Sequence, residues 1–259
     1  MVNLKKYRVF AQHFVLFLTF AGFVACAPKQ LHVTKIEGKQ IKVTKSAGEV
    51  SKIDEFVKPF RESLDKDLNT VLAYSPETLD KSKGEWQTTI GCLMADVTLQ
   101  KSNPIFEKRE KKKIDICLLN HGGIRAMIPK GDVTTRTAFE IMPFENSSIV
   151  IALKAAQIEE IANYIIKEKK PHPLAGMTFT IGKDNVAKNI LVQGKPLSAT
   201  TVYYVVTSDY LAEGGDNMVF FKKNVGRFDL DYKLRNILID YFKEVDTLPV
   251  ITDKRIFVE

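Results

Sequence analysis

Three short segments carry the residue types best suited to hold a small polar ligand. Asn120-His121-Gly122-Gly123-Ile124-Arg125 places an amide and a guanidinium on either side of two glycines. Pro143-Phe144-Glu145-Asn146 supplies a ring and a second amide. Ser208-Asp209-Tyr210-Leu211-Ala212-Glu213-Gly214-Gly215-Asp216 supplies another ring and a carboxylate. The planar fork of Arg125 suits phosphate or paired hydroxyls. Asp216 can accept hydrogen bonds from sugar hydroxyls. Phe144 and Tyr210, at strand ends, can clamp a flat ring, each face being worth roughly 1–3 kcal/mol against a base. The double glycine permits positive φ and a close approach of backbone to ligand. Together these are the parts needed for a flat base joined to a polyol and an anion. Each also has a plainer fit: a simple turn with a surface cation at 120–125, and core positions for Phe144 and Tyr210.

The residues needed to cut such a molecule do not follow the same pattern. The histidines are His13, His32, His121 and His172. No D-x-H, G-N-H-[DE] or G-H-x-H motif accompanies them. The Asn120-His121 pair belongs to the glycine loop, and His172, between Pro171 and Pro173, is expected in a surface turn. No metal or other cofactor site is expected in this chain. Of three cysteines, Cys92 and Cys117 lie in apolar runs and are expected as buried free thiols, without zinc-type spacing.

These loops need elements to position them. Residues 114–119 form a continuous apolar run suited to a buried strand that leads into Asn120. Strands are also expected over 148–153, 177–181, 189–192 and 202–207. Apolar periodicity predicts helices over 49–72, interrupted by Pro59, and over 87–99, 154–167 and 232–245, with a short helix or turn over 134–142. Alternation around Gly38-Lys39 predicts a hairpin over 31–43. The cation-dominated run 108–113 is expected as a solvated loop. Strands and helices alternate irregularly, which favours an α+β fold with a mixed, largely antiparallel sheet and flanking helices.

The N-terminus has its own logic. Lys5, Lys6 and Arg8 precede an apolar run ending at Phe23-Val24-Ala25-Cys26. It is short for a membrane span and fits a secretory signal. Cys26 at the cleavage point resembles a bacterial lipobox, so a lipid on Cys26 is expected to tether the protein to a membrane of the cell envelope. An ordinary cleaved signal or an uncleaved anchor are the other fits. Removing residues 1–25 takes away three cations and no acid, so the net charge falls from +7 to +4. That small excess gives no argument for nucleic-acid binding. The expected organisation is a signal over 1–25, a tether, hairpin and leading helix over 26–74, and one domain over 75–259.

The three segments, in this order, resemble the C-terminal substrate-binding domain of the 5′-nucleotidase/UDP-sugar hydrolase family, whose usual forms are N-x-G-G-I-R, P-F-x-N and [ND]-[FY]-L-A-x-G-G-D. Thr89-Ile90-Gly91-Cys92-Leu93-Met94-Ala95-Asp96 is similar to the family's L-G-N-L-x-A-D helix. The resemblance implies that Phe144 and Tyr210 sandwich a nucleobase, Asp216 holds ribose hydroxyls and Asn120 contacts the base edge. It also implies that Arg125 approaches phosphate or ribose and that Asn146 supports the base or its loop. His121 stands where Gly is common, Cys92 replaces Asn, and Trp86 occupies the offset of a phosphate-reaching Arg. Full-length members hydrolyse phosphate esters with an N-terminal domain holding two divalent ions about 4 Å apart. The resemblance therefore implies a nucleoside monophosphate or nucleoside as ligand, and a separate metallophosphoesterase chain as the partner that brings the metals. The alternatives are a lipid-tethered nucleotide- or nucleoside-binding protein without catalysis, and a scaffold domain that kept the fold and lost its ligand, which the Trp86 departure motivates.

Overall fold

The computed structural model describes residues 4–24, 33, 35–44, 48 and 50–259, which divide into two compact units after Ser51. The first unit contains helix α1 (Leu4–Val24). No described helix is long and apolar enough to cross a membrane. Cys26 lies outside the described residues. Residues 33 and 35–44 carry no strand, so the expected hairpin is not formed there. Val33, Ile36, Ile41 and Val43 are each at least 81% exposed. An isolated two-stranded hairpin with no face to bury is marginal in water.

The second unit opens with α2 (Ser51–Leu68), which runs through Pro59 and buries none of its residues. The chain then enters β1 (Val71–Ser75), so Val71 and Leu72, at the end of the expected helix, are in a strand instead. Helix α3 (Thr89–Glu110) is capped by Thr88, whose hydroxyl accepts the Gly91 N–H at 3.1 Å. It runs well past the expected end and takes in Lys108 and Arg109. These are strong helix formers, and cations suit the negative end of the helix dipole. Next come β2 (Ile116–Leu118), β3 (Gly131–Thr134), α4 (Thr135–Ile141), β4 (Ser147–Lys154) and α5 (Ala155–Glu168). They are followed by β5 (Leu174–Ala175), β6 (Met177–Ile181), β7 (Ala187–Val192), β8 (Lys195–Pro196) and β9 (Val202–Ser208). The chain ends with α6 (Asp209–Ala212), β10 (Gly226–Lys233), α7 (Leu234–Glu244) and β11 (Ile256–Val258).

The central sheet has the order β10-β4-β9-β2-β5, with only the β9–β2 pair parallel. A second sheet, β11-β6-β7-β8, and a β1-β3 pair complete the α+β architecture. The core follows from period-two alternation in the central strands. Ile149, Ile151 and Leu153 of β4 join a cluster with Ile158, Ile161 and Ile165 of α5. Val150 and Val206 join the other cluster, with Leu93 of α3 and Ile237 and Phe242 of α7. Each such side chain contributes roughly 1.5–3 kcal/mol on burial, so both layers hold the central strands rigidly. Cys92 and Cys117 are buried and unpaired, and burial pushes the Cys92 thiol up to about 11.

Candidate functional site

Strand direction explains why residues far apart in sequence meet. β2 is parallel to β9, and β4 is antiparallel to it, with Ser148 paired to Ser208. The C-terminal ends of β2 and β9 and the N-terminal end of β4 therefore share one end of the sheet. Asn120 follows β2, Tyr210 follows β9, and Phe144 and Asn146 precede β4. All six expected ligand-binding residues line one cleft of about 340 Å³, namely Asn120, Arg125, Phe144, Asn146, Tyr210 and Asp216, together with Gly122 and Gly123.

The anchors of this cleft are local. Ser208 caps α6 by accepting the Leu211 N–H at 3.1 Å. That cap fixes the first helical turn, on which Tyr210 sits. Asp209 accepts the Ser147 N–H at 3.1 Å, tying the start of β4 to the end of β9. The Arg125 N–H donates to the Ile141 carbonyl at 2.8 Å, which joins the glycine loop to the end of α4. Lys81 Nζ donates to the Ile124 carbonyl at 2.5 Å.

Asp216 is the hub. Its Oδ2 accepts from Asn120 Nδ2 at 2.7 Å and its Oδ1 from the Tyr210 hydroxyl at 2.9 Å. The Asp216 N–H donates back to the Tyr210 oxygen at 3.2 Å, and the Tyr164 hydroxyl donates to the Asp216 carbonyl at 2.6 Å. Asp216 holds φ 51° and Asn217 φ 59°, a left-handed conformation that non-glycine residues adopt only where their surroundings enforce it. Each carboxylate oxygen keeps a lone pair for a further donor, so the acid is aimed without being used up.

The glycines serve this network in two different ways. Gly214 has φ 84° and turns the chain toward Asp216. A Cβ on Gly215 would lie 2.5 Å from the Tyr210 ring, so this glycine makes room for that ring. Gly122 and Gly123 do not adopt positive φ, contrary to the sequence expectation; they lie in a single 3-10 turn. A Cβ on Gly123 would come 2.7 Å from Asn120 Oδ1, so the constraint there is space for the Asn120 amide.

Phe144 is 44% exposed and Tyr210 47% exposed, so neither ring is spent on the core. The Arg125 guanidinium carbon lies 5.9 Å from the Phe144 ring centroid, and its Nη1 donates to the Gly122 carbonyl at 3.3 Å. Arg125 is exposed, and this is its one side-chain hydrogen bond among the described residues. Trp86 packs partly buried on the second core cluster and is not part of the cleft wall.

Two further residues matter: Tyr164, which the sequence did not mark, and His172, which it misplaced. Tyr164, on α5, braces the Asp216 backbone as described. Burial pushes its phenol up to about 12, so it stays a donor. His172 is buried at 3% exposure rather than in a surface turn, because the Tyr164 ring packs 5.5 Å away and its Nδ1 accepts the His121 N–H at 3.3 Å. Burial, then the neighbouring His121 and Lys170, lower its pKa to about 4. Burial also lowers that of His121. The helical phase of Tyr164 relative to Ile158, Ile161 and Ile165 carried no hint of its hydroxyl's target. Among the described residues no group of three or more His, Cys, Asp or Glu side chains is placed to hold a metal ion.

A family model for the 5′-nucleotidase C-terminal domain matches residues 71–223, which include every cleft residue. The 5′-nucleotidase of Vibrio cholerae is 23% identical over 214 residues, covering 80% of this chain and 37% of that protein. The chain spans about a third of the length of such curated relatives. Among solved structures, the 5′-nucleotidase precursor from Thermus thermophilus superposes with a TM-score of 0.67 at 23% identity, over 80% of this chain and 43% of that one. The NAD nucleotidase of Haemophilus influenzae does so with a TM-score of 0.62 at 14% identity, over 81% and 42%. Fold, motif order and the matched span agree: this chain belongs to the 5′-nucleotidase C-terminal domain family.

Proposed function

We propose that this chain is the nucleotide-recognition half of a 5′-nucleotidase-type phosphohydrolase in nucleotide catabolism. A separate metallophosphoesterase supplies the metal centre, and a lipid on Cys26 tethers the protein in the bacterial cell envelope. One observation carries the recognition role: two half-exposed rings, a guanidinium and a pre-aimed carboxylate from three sequence-distant loops line one cleft. A folding-only role would bury the rings and scatter the charges. Phe144 and Tyr210 stack a base, Asn120 contacts its edge, Asp216 accepts from ribose hydroxyls, and Arg125 approaches the phosphate or ribose. The metal centre is given to the partner because this sequence carries no D-x-H, G-N-H-[DE] or G-H-x-H motif.

A second reading is nucleotide or nucleoside capture without catalysis. It is favoured by the Asp216 network, which is complete within this chain and needs no partner to form. Titration calorimetry with AMP, adenosine and UDP-glucose tests both. Phe144→Ala with Tyr210→Ala is expected to weaken AMP by about 2–6 kcal/mol, given roughly 1–3 kcal/mol per stacked face. Unchanged affinity would remove the clamp from the proposal. Mixing the wild-type protein with a secreted metallophosphoesterase of the same organism then separates the two readings. Faster AMP hydrolysis supports the split enzyme, and tight binding without acceleration supports capture.

A further inference from the structure

Phe144 lies on the loop 142–146, which is exposed over 143–145, and something must hold that loop still. Arg235 does so from the first turn of α7. It is 8% exposed, yet its guanidinium is used almost entirely on this one loop. Nη1 donates to the Met142 carbonyl at 3.4 Å and to the Pro143 carbonyl at 3.2 Å, and Nη2 pairs with the Glu145 carboxylate. The residues on both sides of Phe144 are thus held by one rigid fork. Its Cζ stacks 4.2 Å from the Phe139 ring centroid, which fixes the plane of that fork. Two neighbours extend the grip: Lys233 Nζ donates to the Glu145 carbonyl at 2.7 Å, and the Leu234 N–H donates to the Asn146 carbonyl at 3.0 Å.

The position is unfavourable for a cation in isolation. The first turn of a helix is the positive end of its dipole, and burying a guanidinium is costly unless its donors are used. Arg235 Nε even lacks a partner. A side chain serving only the core would be better as Leu or Met at this site. We infer that Arg235 is the positioning residue that holds Phe144 at the base-stacking wall of the cleft, so that base affinity, and not phosphate or ribose affinity, depends on it. This rests on the nucleotide reading above for its ligand, and on geometry alone for the loop.

The test compares Arg235→Met, Arg235→Lys and Glu145→Gln with wild type in the full chain. Amide hydrogen exchange over 142–147 is measured without ligand, with α5 as the internal reference. Affinities are measured for AMP and for ribose 5-phosphate, which lacks the base. Arg235→Met is expected to speed exchange in the loop at least about tenfold while α5 is unchanged. It should weaken AMP by about 10- to 100-fold, the scale of loss from misplacing a recognition group, and leave ribose 5-phosphate within about twofold. Arg235→Lys, which can satisfy one acceptor at a time, should fall between. Glu145→Gln keeps Arg235 and both carbonyl bonds, so it folds even if Arg235→Met does not, and it should show a smaller shift in the same direction. Equal losses for both ligands, or unchanged loop exchange, overturn the inference. If wild type binds neither ligand, the nucleotide reading fails, and the exchange data alone decide the role of Arg235.

Discussion

The cleft depends on side chains being excluded as much as on those present. Gly215 and Gly122 belong to equally suggestive double-glycine motifs, yet the structure sets them apart. A methyl on Gly215 would sit 2.5 Å from Tyr210 ring carbons, well inside contact distance, whereas one on Gly122 meets nothing nearer than 3.6 Å. Gly215→Ala must therefore displace the Tyr210 ring or the backbone at Asp216. Overpacking of this kind typically costs about 1–3 kcal/mol. Urea unfolding should show a loss in that range for Gly215→Ala and within about 0.5 kcal/mol for Gly122→Ala. A tolerated Gly215→Ala would show that the ring yields freely and that the Tyr210–Asp216 pair is not built rigidly. The motif letters located the ligand residues; which glycine mattered for which reason depended on distances between loops, information that no local spacing contains.

Elements differ in how much of themselves they commit to the fold. α2 presents Ile53, Phe56, Phe60 and Leu64 on a helical stripe, and all are at least 60% exposed. The Phe56 and Phe60 rings pair with each other at 5.8 Å between centroids. Phe106 of α3 is fully buried, against Tyr204 at 5.2 Å and Phe228 at 5.3 Å. Phe106→Ala is accordingly expected to cost about 3–5 kcal/mol, and Phe56→Ser with Phe60→Ser together under about 1 kcal/mol, by urea unfolding of the full chain. Parity between the two would mean that α2 is packed against something in solution. The same contrast marks what the sequence could reveal. The helices α3, α5 and α7 and the strands β2, β4, β6, β7 and β9 were legible because their apolar periods are those of buried faces. The stripe of α2 has the same period and buries nothing, so period alone reports amphipathicity and not packing. β10 was missed although Phe228, Leu230 and Tyr232 alternate, because the charged residues Arg227, Asp229, Asp231 and Lys233 masked the strand. The short β1, β3, β5 and β11 are defined by their partners, and the alternation around Gly38 gives no strand over the described residues 33 and 35–43.

For the molecule as a whole, acid is the informative stress, because the buried titratable groups pull in different directions. His172 has a pKa of about 4 in the fold against 6.5 when unfolded. The unfolded chain therefore binds the extra proton throughout that window, and stability falls as pH drops from 6.5 toward 4. His121, also lowered, acts in the same sense. The groups facing His172 are His121, Lys170, Asp216 and Glu168; the two cationic or ionisable neighbours outweigh the two acids. Asp96 and Asp115 are raised by burial, so the folded state takes up their protons first and gains on acidification, but only nearer the carboxylate range. The lowered carboxylates Glu145 and Glu213 are solvent-exposed, and screening keeps their part small. Between pH 7 and 5 the two histidines dominate this dependence. The shift from 6.5 to about 4 corresponds to a loss of about 2 kcal/mol over that interval. Urea unfolding at pH 7, 6 and 5 should show this decline in the wild-type protein. In His172→Asn, whose amide oxygen can still accept the His121 N–H, the decline should shrink to the smaller His121 contribution. Because His172 packs on Tyr164 and Tyr164 braces Asp216, ligand affinity in the wild type should fall with stability on acidification, and should do so less in the variant. A wild-type protein equally stable at pH 7 and 5 would show that His172 is solvated or charged in the fold, and would unseat it as the buttress behind the cleft.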